Sequence, residues 1–398
     1  VLTFPENLEV KEVTTTYRHR DAEGVVPMVM LVDVPRMSAW IRDTGADKAI
    51  ADIAARLERD YARWNQFDKV ERIAAHSPIG VIELMPIADA DRYAFKYVNG
   101  HPSNPARGLQ TVTAFGAYAD VHTGYPILIA EMTLLTALRT AATSAMVARH
   151  LARPDSEVMA LLGNGSQSEF QALGMRAVMG INRLRIWDTD PGAMDKVQRN
   201  LEPLGFEVVR ATSAEDACRG ADIITTATAD KTLATIVHND WVKPGMHLNA
   251  IGGDCPGKTE LDTDILRRAS VFVEYEPQSR IEGEIQHLPA DFPVTEMWRV
   301  ITGEAPGRTS AEQVTVFDSV GFALEDLTAL AHLTDAVGGT PYAGELDLVA
   351  EPEDPRDLFS LIGMGGVAAT AASSAADSTT ESTEGSAAVQ RVGAATGR

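Results

Sequence analysis

The stretch VMALLGNGSQSEF, running from Val158 to Phe170, decides the fold class. An apolar run ends at Leu162, Gly163-Asn164-Gly165 makes a tight turn, and SQSEFQALGMRAVM continues at helical spacing. Glycines at such a turn let the backbone approach a pyrophosphate. The helix that follows aims its N–H groups and the positive end of its dipole at the phosphates. The pattern is GxGxxS, with Gly163, Asn164, Gly165, Ser166, Gln167 and Ser168, so a serine stands in place of the third glycine. Alone, GxG is weak. Its context strengthens it, because RLRIWD (183–188) reads as the next strand and ends on Asp188, 25 residues after Gly163. An acid there would accept hydrogen bonds from the adenosine ribose diol and repel a 2′-phosphate. Thr189 and Asp190 are not basic, so NAD is expected rather than NADP. A plain strand–turn–helix with a chance acid remains the alternative.

Downstream, strand-like runs alternate with helical ones: FEVVRA (206–211), DIITTAT (222–228), MHLNAIGG (246–253), VFVEY (271–275) and VTVFDS (314–319). That alternation predicts an α/β fold with a Rossmann-type doubly wound parallel sheet. Upstream the character differs. ADKAIADIAARLERDYARWNQ (46–66) has the spacing of an amphipathic helix. RIAAHS, GVIELMPIA, YAFKYVNG, LQTVTAFGAYAD and YPILIAEM then follow one another across short turns, which predicts a mostly antiparallel sheet in a second, α+β domain. TLLTALRTAATSAMVARHLA (133–152) reads as a strong helix opening on Thr133 and ending before Pro154.

Composition narrows the function. The chain has 398 residues, 45% of them hydrophobic, enough for two domains. A formal charge of −21 with no basic patch argues against nucleic-acid binding. Two cysteines, Cys218 and Cys255, fit a reducing cytoplasm better than a disulfide scaffold. The nine histidines show no ligand spacing, so no metal is expected. No apolar run is long enough to span a membrane, and VLTFPENLEVKEV lacks a signal-peptide core. Residues 1–26 read as an N-terminal extension. The Ala/Ser/Thr-rich tail 363–398 reads as disordered, having too few large apolar residues to offset ordering entropy.

A second motif, HLNAIGGDCPGKTEL (247–261), places Asp254 after two glycines at the end of the fifth strand of the parallel sheet. Open α/β sheets bind ligands at that rim. Thr226, Ala227 and Lys231, after the fourth strand, would share it. Asp254 as plain turn chemistry remains open. The antiparallel domain offers Arg72, Glu83, Lys96 and Arg139. Arg139 interrupts a very apolar helix, and a buried guanidinium needs a partner. Either a ligand carboxylate or an internal ion pair to Glu131 or Glu83 would serve.

From about residue 28 to about 360 the chain resembles the ornithine cyclodeaminase/mu-crystallin superfamily, its bacterial ornithine cyclodeaminases in particular. The resembling stretches include RIAAHSPIGVIELMP, FKYVNGHP, LQTVTAFG, MTLLTALRTAATSAM, GNGSQSEFQALG, VFVEYEPQSRIEGEIQ and VTVFDSVGFALEDLTAL. GGDCPGKTEL is specific to the cyclodeaminase branch. The resemblance implies a substrate-binding and dimerisation domain (27–143 and 319–350), an NAD-binding Rossmann domain (144–318), and a homodimer formed through the first sheet. It puts substrate-carboxylate contacts on Arg72, Lys96 and Arg139, active-site acids on Glu83 and Asp254, and cofactor contacts on Gly163–Ser168, Asp188, Thr111, Lys231 and Ser319. Asp262 stands where the family would have His.

The reaction it implies turns L-ornithine into L-proline and ammonia. Hydride leaves Cα for NAD, the δ-amine closes on Cα as ammonia departs, and the hydride returns. Asp254 is the expected acceptor of the δ-ammonium proton, and Glu83 the expected partner of the α-amino end. The alternatives are a lysine cyclodeaminase, an NAD-dependent amino-acid dehydrogenase or imine reductase of the same fold, and a ligand-binding protein without turnover.

Overall fold

A computed structural model of the protein describes residues 28–229 and 234–363. The N-terminal extension, Lys231 and the tail beyond Gly363 lie outside the described residues. Contacts divide the chain after Val349. Residues 350–363, described by themselves, end in a short 3-10 turn, Leu358–Ile362, with Asp357 accepting from the Ser360 N–H at its start.

Two eight-stranded sheets carry the rest. The first runs, edge to edge, Gly344–Leu346, Val29–Val32, Pro126–Glu131, Val112–Asp120, Arg92–Gly100, Gly80–Ala88 and Asp68–Lys69, with Ile73–Ser77 also pairing with Gly80–Ala88. Its pairings are antiparallel except for Val29–Val32 against Pro126–Glu131. The period-2 pattern of GVIELMPIA fixes which face is buried. Val81, Glu83, Met85 and Ile87 point inward, while Ile82 and Leu84 point outward. Pairing of Met30 with Glu345 brings the chain's late residues back onto this sheet.

The second sheet is wholly parallel, in the order Glu207–Arg210, Arg183–Trp187, Val158–Leu162, Ile223–Thr226, His247–Ala250, Thr315–Asp318, Ser270–Val273 and Thr295–Glu296. Strand order reverses between Val158–Leu162 and Ile223–Thr226, so the loops after Leu162, Thr226 and Ala250 share one rim. This is the alternation expected from the sequence.

Helices Ala46–Ala62, Thr133–Leu151, Ser168–Met179 and Ala323–Val337 fill the space between these layers. The expected helix over 133–152 ends one residue earlier, and the 46–66 run closes in a 3-10 turn at Trp64–Gln66. Helices Thr133–Leu151 and Ser168–Met179 meet at Gly174, where a Cβ would lie 2.8 Å from the Ala141 carbonyl oxygen. That close approach ties the nucleotide-loop helix to the helix bearing Arg139. Among the described residues no helix is long and apolar enough to cross a membrane.

Candidate active site

The turn after Leu162 needs glycine twice over. Gly163 has φ +88°, and a Cβ on it would sit 2.7 Å from the Ala227 carbonyl oxygen. At Gly165 a Cβ would meet nothing within 4 Å, so the backbone is open to a ligand there. Ser168 is buried, and its hydroxyl donates to the Gly165 carbonyl at 2.9 Å, closing the loop from beneath. Asp188 accepts from the Asn164 N–H at 2.6 Å and the Asp190 N–H at 2.8 Å, which fixes the loop against the neighbouring strand. Asn164 Oδ1 and Gln167 Oε1 are buried acceptors without a hydrogen-bond partner. An open cradle of N–H groups with uncommitted amide oxygens fits a dinucleotide.

A cavity of about 470 Å³ lies between this loop and the first sheet. Arg72, Glu83, Lys96, Arg139 and Thr111 line it from one side, and Gly165, Ser166, Gln167, Asp254 and Ser319 from the other. Gly163, Asn164, Ser168, Asp188 and Thr226 are not on its wall; they support the loop and the rim. Asp254 belongs to the wall, although its side chain is 53% exposed. Its Oδ1 lies 3.5 Å from Lys258 Nζ, and Lys258, buried, donates to the Thr228 carbonyl at 2.8 Å.

The twin glycines before Asp254 make room. A Cβ at Gly252 would stand 2.2 Å from a Glu260 carboxylate oxygen, and one at Gly253 would stand 2.5 Å from Glu284 Oε1. Glu284 accepts from the N–H groups of Glu260 and Leu261 at 2.7 and 2.9 Å. Glu260 accepts from the Thr228 N–H at 3.0 Å. Buried carboxylates therefore hold the Asp254 loop from behind, and burial pushes both acids' pKa upward. Asp262 is a helix cap: it accepts from the Asp264 N–H at 3.0 Å at the start of Thr263–Arg268.

The three cations are buried and already paired. Lys96 Nζ is 2.8 Å from the Asp326 carboxylate. Arg139 Nε is 3.0 Å from Asp326, and its Nη1 is paired with Glu325. The sequence leaves Arg139 a ligand carboxylate or an internal pair to Glu131 or Glu83; an internal pair is made, to Glu325 and Asp326. Glu131 is instead occupied in accepting from the Thr133 and Leu134 N–H groups at the helix start. Arg72 lies between Glu83, 3.2 Å away, and Glu282, 3.0 Å away. Glu83 Oε1 is buried and has no hydrogen-bond partner, leaving one acceptor facing the cavity region.

Five buried acids, Glu83, Glu274, Glu282, Glu325 and Asp326, thus surround three cations. Burial, and next the Arg139 guanidinium, push Lys96 down to about 8 against the pull of Asp326. Burial pushes Glu282 up to about 7, opposed by Arg72. Glu274 is pushed up to about 8 by burial and by the charge of Glu325. Its Oε1 accepts from the Ser319 hydroxyl at 2.6 Å, so that hydroxyl faces inward. Burial alone would lower the Arg72 guanidinium; Glu83, Glu282 and Asp254 outweigh it and keep the charge fixed. Glu282, Glu274, Glu325 and Asp326 join the site only in three dimensions. The pair Glu325-Asp326, interrupting the apolar run FALEDLTAL, was the visible signal for two of them.

Residues 35–340 match the family model described as ornithine cyclodeaminase/mu-crystallin family. The chain is 56% identical over 332 residues to the ornithine cyclodeaminase of Agrobacterium fabrum, covering 83% of this chain and 94% of that protein. Among solved structures, a lysine cyclodeaminase described with recognition of L-lysine, L-ornithine and L-2,4-diaminobutyric acid superposes with a TM-score of 0.77 at 31% identity, over 83% of this chain and 98% of that one. An archaeal alanine dehydrogenase dimer with bound NAD superposes with a TM-score of 0.74 at 28% identity, over 81% and 99%. By sequence and by fold, the chain belongs to the ornithine cyclodeaminase/mu-crystallin family.

Proposed function

We infer that the chain is an NAD-dependent ornithine cyclodeaminase, an ammonia-lyase that converts L-ornithine to L-proline and ammonia. The observation that carries this reading is one cavity lined by Arg72, Lys96, Arg139, Glu83 and Asp254 beside the glycine loop. The identity to the Agrobacterium fabrum enzyme favours ornithine over lysine.

Gly165, Ser166 and Gln167 would hold the pyrophosphate end of NAD on the turn that Gly163 makes, with Asp188 toward the ribose and Thr111 and Ser319 nearer the ring, Thr226 supporting the rim behind them. NAD held there would supply a reversible hydride acceptor for Cα, so no outside oxidant or reductant would be consumed. Arg72, Lys96 and Arg139 clamp the α-carboxylate. Glu83, through its uncommitted Oε1, accepts from the α-amino group. Asp254 draws the δ-ammonium, takes its proton and presents a neutral amine to Cα. A new bond from the δ-nitrogen to Cα replaces the bond to the α-nitrogen, which leaves as ammonia. Lys258 beside Asp254 holds that carboxylate at the mouth of the cavity.

Residues 27–143 with 319–350 are assigned to substrate binding and dimerisation, and 144–318 to NAD. The strand Gly344–Leu346 returning to Val29–Val32 supports the split assignment. A homodimer through the first sheet is supported by its outer face. There Ile82, Leu84, Tyr93 and Phe115 are exposed, and the Tyr97 and Phe115 rings stack with centroids 5.1 Å apart. A role in proline biosynthesis follows from L-proline being the product, and the buried thiol of Cys218 fits a cytoplasmic setting.

Purified protein incubated with L-ornithine tests the reading. Proline and ammonia should form in equal amounts with no net NADH, and L-lysine should be turned over far more slowly. Accumulating NADH would mean a dehydrogenase. Faster release of ammonia from L-lysine would mean a lysine cyclodeaminase.

A further inference from the structure

Arg72 stands in a segment without regular structure, one residue before the strand Ile73–Ser77. Its own element therefore does little to direct a long side chain with many rotamers. Direction comes from the other sheet's side. Nε lies 3.0 Å from Glu282 Oε2. Nη2 donates to the carbonyls of Val320 and Gly321 at 2.5 and 2.8 Å. The Arg72 backbone N–H donates to Gln278 Oε1 at 3.2 Å. Only Nη1 turns toward Glu83.

Glu282 is the charged member of this cradle, and it is not on the cavity wall. It is 4% exposed, so no substrate atom reaches it. Its place is fixed by the residue that follows. A Cβ at Gly283 would lie 2.5 Å from the Asp318 carboxylate. That carboxylate in turn accepts from the N–H groups of Glu284 and Ile285 at 2.8 and 3.1 Å. The turn after helix Glu276–Glu282 is thus pinned to the end of strand Thr315–Asp318.

We propose that Glu282 is a positioning residue: by holding the Nε edge of Arg72 while the Val320 and Gly321 carbonyls hold Nη2, it leaves Nη1, beside Glu83, turned toward the substrate's α-carboxylate. This rests on the reading of Arg72 as part of the carboxylate clamp. The α-carboxylate takes no part in bond making. Losing the hold therefore weakens substrate binding in ground and transition states alike, and the effect falls on KM.

Steady-state kinetics with L-ornithine on Glu282→Ala, Glu282→Gln, Arg72→Ala and the Glu282→Ala/Arg72→Ala double variant test it, with NAD affinity followed by tryptophan quenching. Glu282→Ala is expected to raise KM about tenfold and to change kcat by less than about threefold. Glu282→Gln, which keeps the shape and loses the charge, should recover only part of the loss, because Nε and Oε2 meet as an ion pair without hydrogen-bond geometry, and NAD affinity should stay unchanged in both. The double variant should be no worse than Arg72→Ala alone, because Glu282 acts through Arg72. Additive losses, an unchanged KM in Glu282→Ala, or a joint fall of kcat and NAD affinity in both Glu282 variants would overturn the assignment. If Arg72→Ala raises KM and Glu282→Ala does not, the clamp stands and only the role of Glu282 fails. If Arg72→Ala leaves KM unchanged, both fail.

Discussion

Asp326 serves two cations at once: its carboxylate lies 2.8 Å from Lys96 Nζ and 3.0 Å from Arg139 Nε. All three side chains are buried. Removing the shared acid leaves Lys96 without its ion-pair partner and Arg139 with Glu325 alone. Asp326→Ala is expected to cost about 3–5 kcal/mol of stability, as breaking a buried ion pair does. Urea unfolding of the two proteins measures this. A loss below about 1 kcal/mol would mean that water or Glu325 takes over the role.

Asp254 is the acid without a strong partner, 3.5 Å from Lys258 and half open to the cavity. Asp254→Asn keeps its shape and removes the base. Proline formation is expected to fall by roughly 10²- to 10⁴-fold, the range for a lost general base, with NAD affinity kept. Near wild-type turnover in that variant would remove Asp254 from the chemistry.

Lys96 gives the pH dependence. Its pKa is lowered to about 8, so the cation is present below that pH and lost above it. Attraction for the α-carboxylate should weaken as pH rises through 8. Lys96→Gln has no charge to lose. At pH 7 its KM for L-ornithine should exceed the wild-type value about tenfold, as for a lost charge-assisted hydrogen bond. The ratio of the two KM values should narrow toward pH 9.5, where ionisation of the substrate cancels between the proteins. A ratio constant across that range would show that Lys96 does not titrate there or does not touch the substrate.

The nucleotide loop and the two sheets are legible because each rests on a local pattern; the five site residues stand out locally only as charges at strand, helix and turn positions, and their roles come from the family resemblance. Gly163 and Gly165 follow an apolar strand, Glu83 and Lys96 alternate with apolar neighbours, and Arg139 interrupts an apolar helix. What stands behind them is not local. Glu282 reaches Arg72 across more than two hundred residues, and Glu325 and Asp326 reach Arg139 from a helix that itself looks like core. Periodicity marks a residue as inward-facing; it does not say which inward charge meets which. Arg139 illustrates the point, since the nearby Glu131 was spent capping its own helix.

The twin glycines yield a stability prediction. Gly252 leaves no space for a methyl group, with Glu260 Oε1 2.2 Å from where the Cβ would stand. Glu260 cannot retreat without releasing the Thr228 N–H. Gly252→Ala is therefore expected to cost about 1–3 kcal/mol, as overpacking does, and to displace Asp254 two residues on. Turnover should fall more than stability alone explains. Thermal unfolding and kcat on the same preparation check both parts, and an alanine variant with unchanged kcat would show that the Asp254 loop tolerates the shift.

The exposed face of the first sheet supplies the last prediction. Leu84 pairs with Tyr97, and Tyr97 with Phe115, so these side chains form one apolar ladder across three strands. Leu84 and Phe115 are 41% and 46% exposed, which an isolated subunit would leave in water. In a homodimer formed through this face a second copy would pack its own ladder against this one and bury both, and a two-fold axis would make each residue count twice. Leu84→Lys/Phe115→Glu puts charges of both signs on each copy. Each is buried at the cost of its hydration unless it lands opposite the other. The change lies on the solvent side of the sheet and leaves Glu83 and Lys96 on the inner side untouched. Sedimentation velocity should therefore show a dimer for the wild type and a folded monomer for the double variant, with unchanged far-ultraviolet dichroism. A double variant that still sediments as a dimer would move the subunit interface to another face of the molecule.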